Sequence, residues 1–244
     1  MRSRSIPILT YHQIDLAPAK GTPMRSLYVS PAAFARQMAW LKCLGFQGLS
    51  MSALMPYLRG EKFGRVVGIT FDDGYANNLR HALPVLQRHG FSSTCYIVSQ
   101  RVGQTNVWDD DLGVPSAALM DWEALRAWHA GGQEIGSHTQ THANLKTLTD
   151  VDAQREIADS KTDLETQLGS AVTQFCYPFG IYGPEHAQAA RWAGYEAATT
   201  TLRGRVAVTP SDANLFDLPR VPVVRSTYWP QFLLKLLTAY EDSH

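Results

Sequence analysis

Cysteine is scarce in this chain: Cys43, Cys95 and Cys176 are the three in 244 residues, far apart and each in apolar surroundings. That excludes a disulfide framework and a Cys-based zinc module, and reads as three buried, reduced core thiols. Net charge is missing too. Lys plus Arg and Asp plus Glu number 22 each, so no global field recruits nucleic acid or an anionic bilayer, and nucleic acid is not an expected partner. Long apolar runs are absent as well. None approaches the roughly 20 residues that span a bilayer, so no transmembrane segment is expected. The N-terminal Met1-Arg-Ser-Arg-Ser is basic, but Ile6-Pro-Ile-Leu-Thr-Tyr-His is too short and too polar-tipped for a signal h-region, which makes a cytoplasmic location the direct expectation. No linker or break in composition divides residues 1–244, which are expected to form one domain.

What the chain does have is a regular alternation. Apolar runs at 6–12, 47–50, 65–71, 91–99, 134–137, 174–177 and 195–201 read as strands, and a Pro-interrupted extended stretch follows at 218–224. Between them, capped amphipathic stretches read as helices: from Ser30-Pro31 to the stop at Gly45, then 52–58, 77–89, 121–130, 149–168, 184–193 and 230–240. The last helix, with Phe232, Leu233, Leu236 and Leu237, is expected to pack on the body of the protein. A long polar loop at 100–115 holds Trp108-Asp-Asp-Asp. Strand and helix in turn predict an α/β fold, a distorted (β/α) barrel of about seven parallel strands. Parallel barrels present their chemistry at the C-terminal ends of strands. His12, Asp72, Asp73, His138 and the turn Tyr177-Pro-Phe-Gly180 all stand at such ends.

The organising stretch is Arg65-Val-Val-Gly-Ile-Thr-Phe-Asp-Asp-Gly-Tyr75, a buried strand that ends in two adjacent carboxylates. Read alone, Asp-Asp-Gly is equally a turn with a helix-capping Asp. Glu134-Ile-Gly-Ser-His-Thr-Gln-Thr-His142 tips the balance, because adjacent carboxylates repel and two imidazoles at ligand spacing suit a shared cation. Asp73, His138 and His142 are the expected ligands of one divalent metal, zinc first, with cobalt or nickel as substitutes. The same ligand set serves non-haem iron, but the second carboxylate favours hydrolysis: Asp72 is placed to take the proton from a water attacking a carbonyl. A backbone N–H of the 178–180 turn, that of Phe179, is the expected oxyanion donor. Tyr75, Trp108, Tyr177 and Pro178 are candidate substrate contacts, with Tyr182, Trp229 and Asp109 as weaker ones. Aromatic rings can stack on sugars, and they can equally just cover the barrel ends.

Thr70-Phe-Asp-Asp-Gly-Tyr75, His138-Thr-Gln-Thr-His142 and Phe175-Cys-Tyr-Pro-Phe-Gly180 resemble, in that order, the first three motifs of the polysaccharide deacetylases of carbohydrate esterase family four. The likeness runs from Ile8-Leu-Thr-Tyr-His12 through Trp122 to Leu218-Pro-Arg-Val-Pro-Val223, and the Tyr-His pair is similar to the poly-N-acetylglucosamine deacetylase branch. The resemblance implies metal-dependent removal of an N-acetyl group from an amino sugar, N-acetylglucosamine in most members. It also implies the first Asp as base and the second Asp with both His on the metal. Two departures stand out. Cys176 occupies the place of an arginine that pairs with the catalytic Asp in many members, and Arg220 is the candidate replacement. No histidine lies between His186 and His244, where the family's late Leu-His motif supplies a general acid, and His12 is the candidate substitute. An amide hydrolase for a small non-sugar substrate, and a carbohydrate-binding homologue without turnover, are the competing readings.

Overall fold

The computed structural model describes residues 5–209 and 215–242; the basic residues Arg2 and Arg4 and the terminal His244 lie outside that range. The main sheet is built from β1 (Ile8–Tyr11), β2 (Gln47–Leu49), β3 (Val66–Phe71), β4 (Thr94–Ile97), β5 (Glu134–Ser137), β6 (Gln174–Cys176), β7 (Ala197–Arg203) and β8 (Leu218–Pro222). All its pairings are parallel, and the β1–β3 pairing closes seven of the strands into a barrel in the order β1, β8, β7, β6, β5, β4, β3.

Membership of the ring differs from the expectation at two places. The 47–50 run forms β2, which pairs only with Val66–Gly68 on the edge of β3 that β4 takes over from Thr70, so it flanks the ring. The 218–224 stretch forms β8 and closes the ring between β7 and β1. Its prolines are tolerated on a short strand whose registered pairings run through Leu218 and Arg220 to β7 and through Val221 and Pro222 to β1.

The helices follow from local signals. In α1 (Pro31–Cys43), Ser30 accepts a hydrogen bond from the Ala33 amide and Pro31 opens the first turn, while Phe34, Gln37, Met38 and Leu41 face inward. Cys43 corrects the expectation of three buried thiols. It lies two residues, about 200°, round from Leu41 and is exposed. α2 (Met51–Leu58) follows β2. The expected 77–89 helix is two, α3 (Ala76–His81) and α4 (Leu83–His89). Pro84 supplies no N–H and its ring crowds the carbonyl four residues back, which breaks the ladder there. α5 (Trp122–Ala130), α6 (Asp150–Leu168), α7 (Pro184–Trp192) and α8 (Trp229–Leu237) complete the layer. Phe232 and Leu236 of α8 are buried, and Phe232 meets Trp40 of α1, as expected of a helix packed on the barrel.

Beneath the chemistry lies an aromatic cluster. Tyr11 meets Phe34 edge-on at 5.2 Å and stacks on Phe71 at 5.6 Å, and Phe71 meets Trp128 edge-on at 5.6 Å. It locks β1 to β3, whose next residues are His12 and Asp72. Gly136 of β5 has a steric duty: a Cβ there would stand 2.6 Å from the Tyr96 ring and 3.0 Å from the Gln174 carbonyl. Its absence lets Tyr96 fill the barrel beneath Arg220, whose guanidinium lies 5.8 Å above that ring.

Candidate active site

Asp72 and Asp73 leave the end of β3 towards different partners. Asp72 continues the strand geometry, its amide donating to the Tyr11 carbonyl, whereas Asp73 has a left-handed φ of 71° that swings its side chain away. Four of the five non-glycine residues with positive φ are Asp73, Thr139, His142 and Phe179, so strain in the described backbone gathers here. The 138–142 segment is a strand end entering a turn, as expected, and not a helix face.

Asp72 is held by Arg220 through two parallel bonds, Nη1 to Oδ1 and Nη2 to Oδ2, both 2.7 Å. The guanidinium is itself fixed. Its Nε donates to the Thr200 carbonyl at 2.8 Å, Nη1 to Thr70 Oγ1 at 3.1 Å, and Nη2 lies 3.3 Å from Cys176 Sγ. The charge that β6 lacks at Cys176 thus arrives from β8. Burial pushes the Asp72 carboxyl up, but the Arg220 charge and hydrogen bonds outweigh it and hold the group below the usual carboxylate range. Thr10 Oγ1 donates to Asp72 Oδ2 at 3.4 Å, and His12 Nε2 stands 3.8 Å from the same oxygen with its side chain 25% exposed.

Asp73 Oδ1 lies 3.4 Å from Nε2 of His138 and 3.4 Å from Nε2 of His142. Ligand atoms on one tetrahedral cation at 2.0–2.1 Å stand about 3.3–3.4 Å apart, so the two separations from Asp73 Oδ1 match the edges of such a site. His138 Nδ1 is engaged at 2.7 Å with the Cys176 carbonyl, which keeps a proton on Nδ1 and makes Nε2 the atom that a cation beside Asp73 would take. These residues fit a divalent cation. Asp72, His138 and Cys176 also lie within 4.8 Å of one another, but the Arg220 guanidinium already contacts Asp72 and Cys176 and would repel a second cation. Burial pushes the Asp73 carboxyl up; hydrogen bonds from the two imidazoles outweigh it and hold the group well below its ordinary value.

Around this centre the sequence candidates divide. Trp108 is half-buried and stacks on the His142 ring at 4.4 Å, and Phe179 meets that ring edge-on at 4.5 Å. Tyr75 is buried; burial pushes its hydroxyl up, and the Asp73 carboxylate beside it pushes the same way. Pro178 is buried in the turn. Tyr177 is not brought to the cleft: it is fully buried, donates to the Phe216 carbonyl at 3.0 Å and stacks on Tyr182. Trp229 is exposed at the start of α8, and Asp109 is buried with Asn106 donating to it. The sequence reading missed Thr10, Thr70, Thr200 and the Cys176 carbonyl. Two of these act through backbone oxygens, which carry no residue signature. The alternation Leu9-Thr10-Tyr11 and Ile69-Thr70-Phe71, a hydroxyl in an apolar strand, is the one signal that could have found the others.

A sequence profile described as polysaccharide deacetylase matches residues 59–198. Over 220 residues the chain is 31% identical to the protein YxkH of Bacillus subtilis, covering 89% of this chain and 71% of that one. It is 25% identical over 209 residues to the poly-β-1,6-N-acetyl-D-glucosamine N-deacetylase of Staphylococcus epidermidis, covering 84% and 71%. The solved Streptococcus pyogenes deacetylase PplD in complex with acetate superposes with a TM-score of 0.81 at 26% identity, covering 96% of this chain and 99% of that one. Motifs, barrel and relatives agree, and the chain belongs to the polysaccharide deacetylase family.

Proposed function

We propose that this protein hydrolyses the N-acetyl group from an amino sugar of an oligo- or polysaccharide, with one divalent metal ion, zinc first, held by Asp73, His138 and His142. The observation that carries this reading is the sorting of two adjacent carboxylates: Asp72 faces a guanidinium at 2.7 Å and Asp73 faces two imidazole nitrogens at 3.4 Å. Once bound, the metal supplies Lewis-acid polarisation of the amide carbonyl and lowers the pKa of water. Asp72, kept ionised by Arg220, takes the proton from the attacking water. Arg220 acts through Asp72 as a positioning residue. The Phe179 amide, on the strained turn beside His142, donates to the developing oxyanion. His12, near Asp72 and partly open to solvent, delivers a proton to the leaving amine. Tyr75, Trp108 and Pro178 shape the wall on which the sugar rests.

The test is metal content of the purified protein together with acetate release from N-acetylglucosamine oligomers, for the native chain, Asp72→Asn and Asp73→Asn. Expected are bound divalent metal and acetate release in the native chain, turnover lost with metal kept in Asp72→Asn, and metal lost in Asp73→Asn. Metal binding without acetate release from any N-acetyl sugar would overturn the substrate assignment.

A further inference from the structure

At the end of the barrel where β1 and β8 finish, a cavity of about 360 Å³ is lined by Leu16, Ala17, Arg25, Tyr28, Ser30 and Arg225. Topology ties it to the centre just described. Gln13–Ile14, directly after His12, pairs with Tyr28–Val29, and Arg225 follows β8, the strand that carries Arg220 and pairs with β1. The Arg225 amide donates to the Ser26 carbonyl at 2.8 Å, joining the two loops, and Tyr28 lies close enough to Tyr75 to act on it electrostatically.

The charges of this cavity are one-sided. Arg25 is half-buried and anchored, its Nε donating to the Pro18 carbonyl at 2.7 Å, so the guanidinium plane is set while its terminal nitrogens have no protein acceptor among the described residues. Arg225 is exposed, and no carboxylate among the described residues stands within 4.0 Å of either guanidinium. Asp15, the acid nearest to Arg25 in sequence, instead accepts from the Leu16 amide at 2.7 Å. Two uncompensated guanidiniums, one preorganised, in a concave site beside a phenol are the donor set for a carboxylate or phosphate.

We propose that Arg25 and Arg225 bind an anionic substituent, a carboxylate or a phosphate, carried by the saccharide whose N-acetyl group faces the barrel centre, so that the substrate is an acidic glycan and not a neutral homopolymer. This rests on the function proposed above and narrows its substrate class. A charge-assisted hydrogen-bond pair of this kind discriminates by roughly tenfold to hundredfold in kcat/KM. Because Arg225 is open to solvent, the preference weakens as salt shortens the Debye length below about 8 Å.

The experiment compares acetate release from three oligomers of equal length: neutral N-acetylglucosamine, N-acetylglucosamine alternating with N-acetylmuramic acid, whose lactyl ether carries a carboxylate, and phosphate-substituted N-acetylglucosamine. The native protein is expected to prefer one of the two acidic oligomers, which identifies the anion. In Arg25→Met, Arg225→Met and the double variant the acidic-to-neutral ratio of kcat/KM falls towards one, through KM, while Arg25→Lys restores part of it. Arg126→Met, the same charge removed from the outer face of α5, keeps the ratio. Equal use of all three by the native protein, or a ratio unmoved by the double variant, overturns the proposal. If no oligomer releases acetate, the function proposed above has failed, and calorimetric titration of the same oligomers decides this one separately. Binding of an acidic oligomer that the double variant loses supports it, and equal binding of neutral and acidic oligomers refutes it.

Discussion

Arg220→Met removes the guanidinium and keeps most of the volume. Asp72, 3% exposed, then loses two bonds of 2.7 Å, and Thr10 at 3.4 Å is its one remaining side-chain donor. Breaking a buried pair from one side costs about 3–5 kcal/mol, because an unpaired charge stays behind. For a chain of this size each kcal/mol moves Tm by about 2–4 °C, so a fall of about 6–20 °C is expected. The pH dependence separates this cause from lost packing. In the native protein the Asp72 pKa is lowered, so its contribution to stability is present above the unfolded-state value and is lost as pH falls through the lower folded value. In the variant only the His12 and His138 charges still oppose burial, and the folded pKa is expected to rise above the unfolded value. The variant is therefore penalised at high pH and relieved as protonation neutralises the carboxyl. Urea unfolding of both proteins at matched metal occupancy should show the stability gap narrowing from about pH 8 to about pH 5. Asp72→Asn added to Arg220→Met should recover about 1–3 kcal/mol of the loss. The acid limb of the kcat/KM profile should move to higher pH in Arg220→Met. A gap constant with pH and unrelieved by Asp72→Asn would refute the reasoning, since methionine packing alone would then account for the loss.

His12→Ala is expected to lower kcat about 10²–10⁴-fold with metal content unchanged, and to lose less with substrates whose leaving amine needs no proton; near-native turnover would remove His12 from the mechanism. Trp108→Ala frees the His142 ring from its stacking partner at 4.4 Å. Metal affinity should fall about 10–100-fold, read by competition with a chelator, because the orientation of the ligand is lost. Gly136→Ala sets a methyl 2.6 Å from the Tyr96 ring and 3.0 Å from a backbone oxygen, so a destabilisation of about 1–3 kcal/mol by thermal unfolding is expected. Glu165 accepts from Lys161 at 2.7 Å and the Val172 amide at 2.8 Å; burial pushes its carboxyl up, but these contacts outweigh it and lower the pKa. Its stabilisation is thus present above the unfolded-state value of 4.5 and lost as pH falls through the folded value. Glu165→Gln should flatten the acid limb of the stability curve by about 0.5–1 kcal/mol at most, given its partial exposure.

Much of this protein was legible locally. The alternation of apolar runs with capped helices determined a parallel barrel, because period and caps act over a few residues and need no distant partner. Asp72, Asp73 and His138 stood out as candidates because they end strands, which a parallel barrel gathers at one mouth, and His142 because it follows His138 at ligand spacing. Tertiary structure decided the rest. Arg220 meets Asp72 across 148 positions and His138 meets the Cys176 carbonyl across 38, contacts that no spacing rule encodes. Which run entered the ring was likewise settled by competition. β2 and β4 share one edge of β3, and β8 closes against β1 although its prolines resemble a loop in isolation. The exposure of Cys43 and the burial of Tyr177 have a related cause, since the direction of a side chain depends on the rotation of its whole element against the core. Sequence named the groups, the end of the barrel where they gather and, with the family resemblance, the pairing of Asp72 with Arg220 and of Asp73 with the imidazoles; only packing brings that sorting about, because a left-handed turn at Asp73 points neighbouring side chains apart.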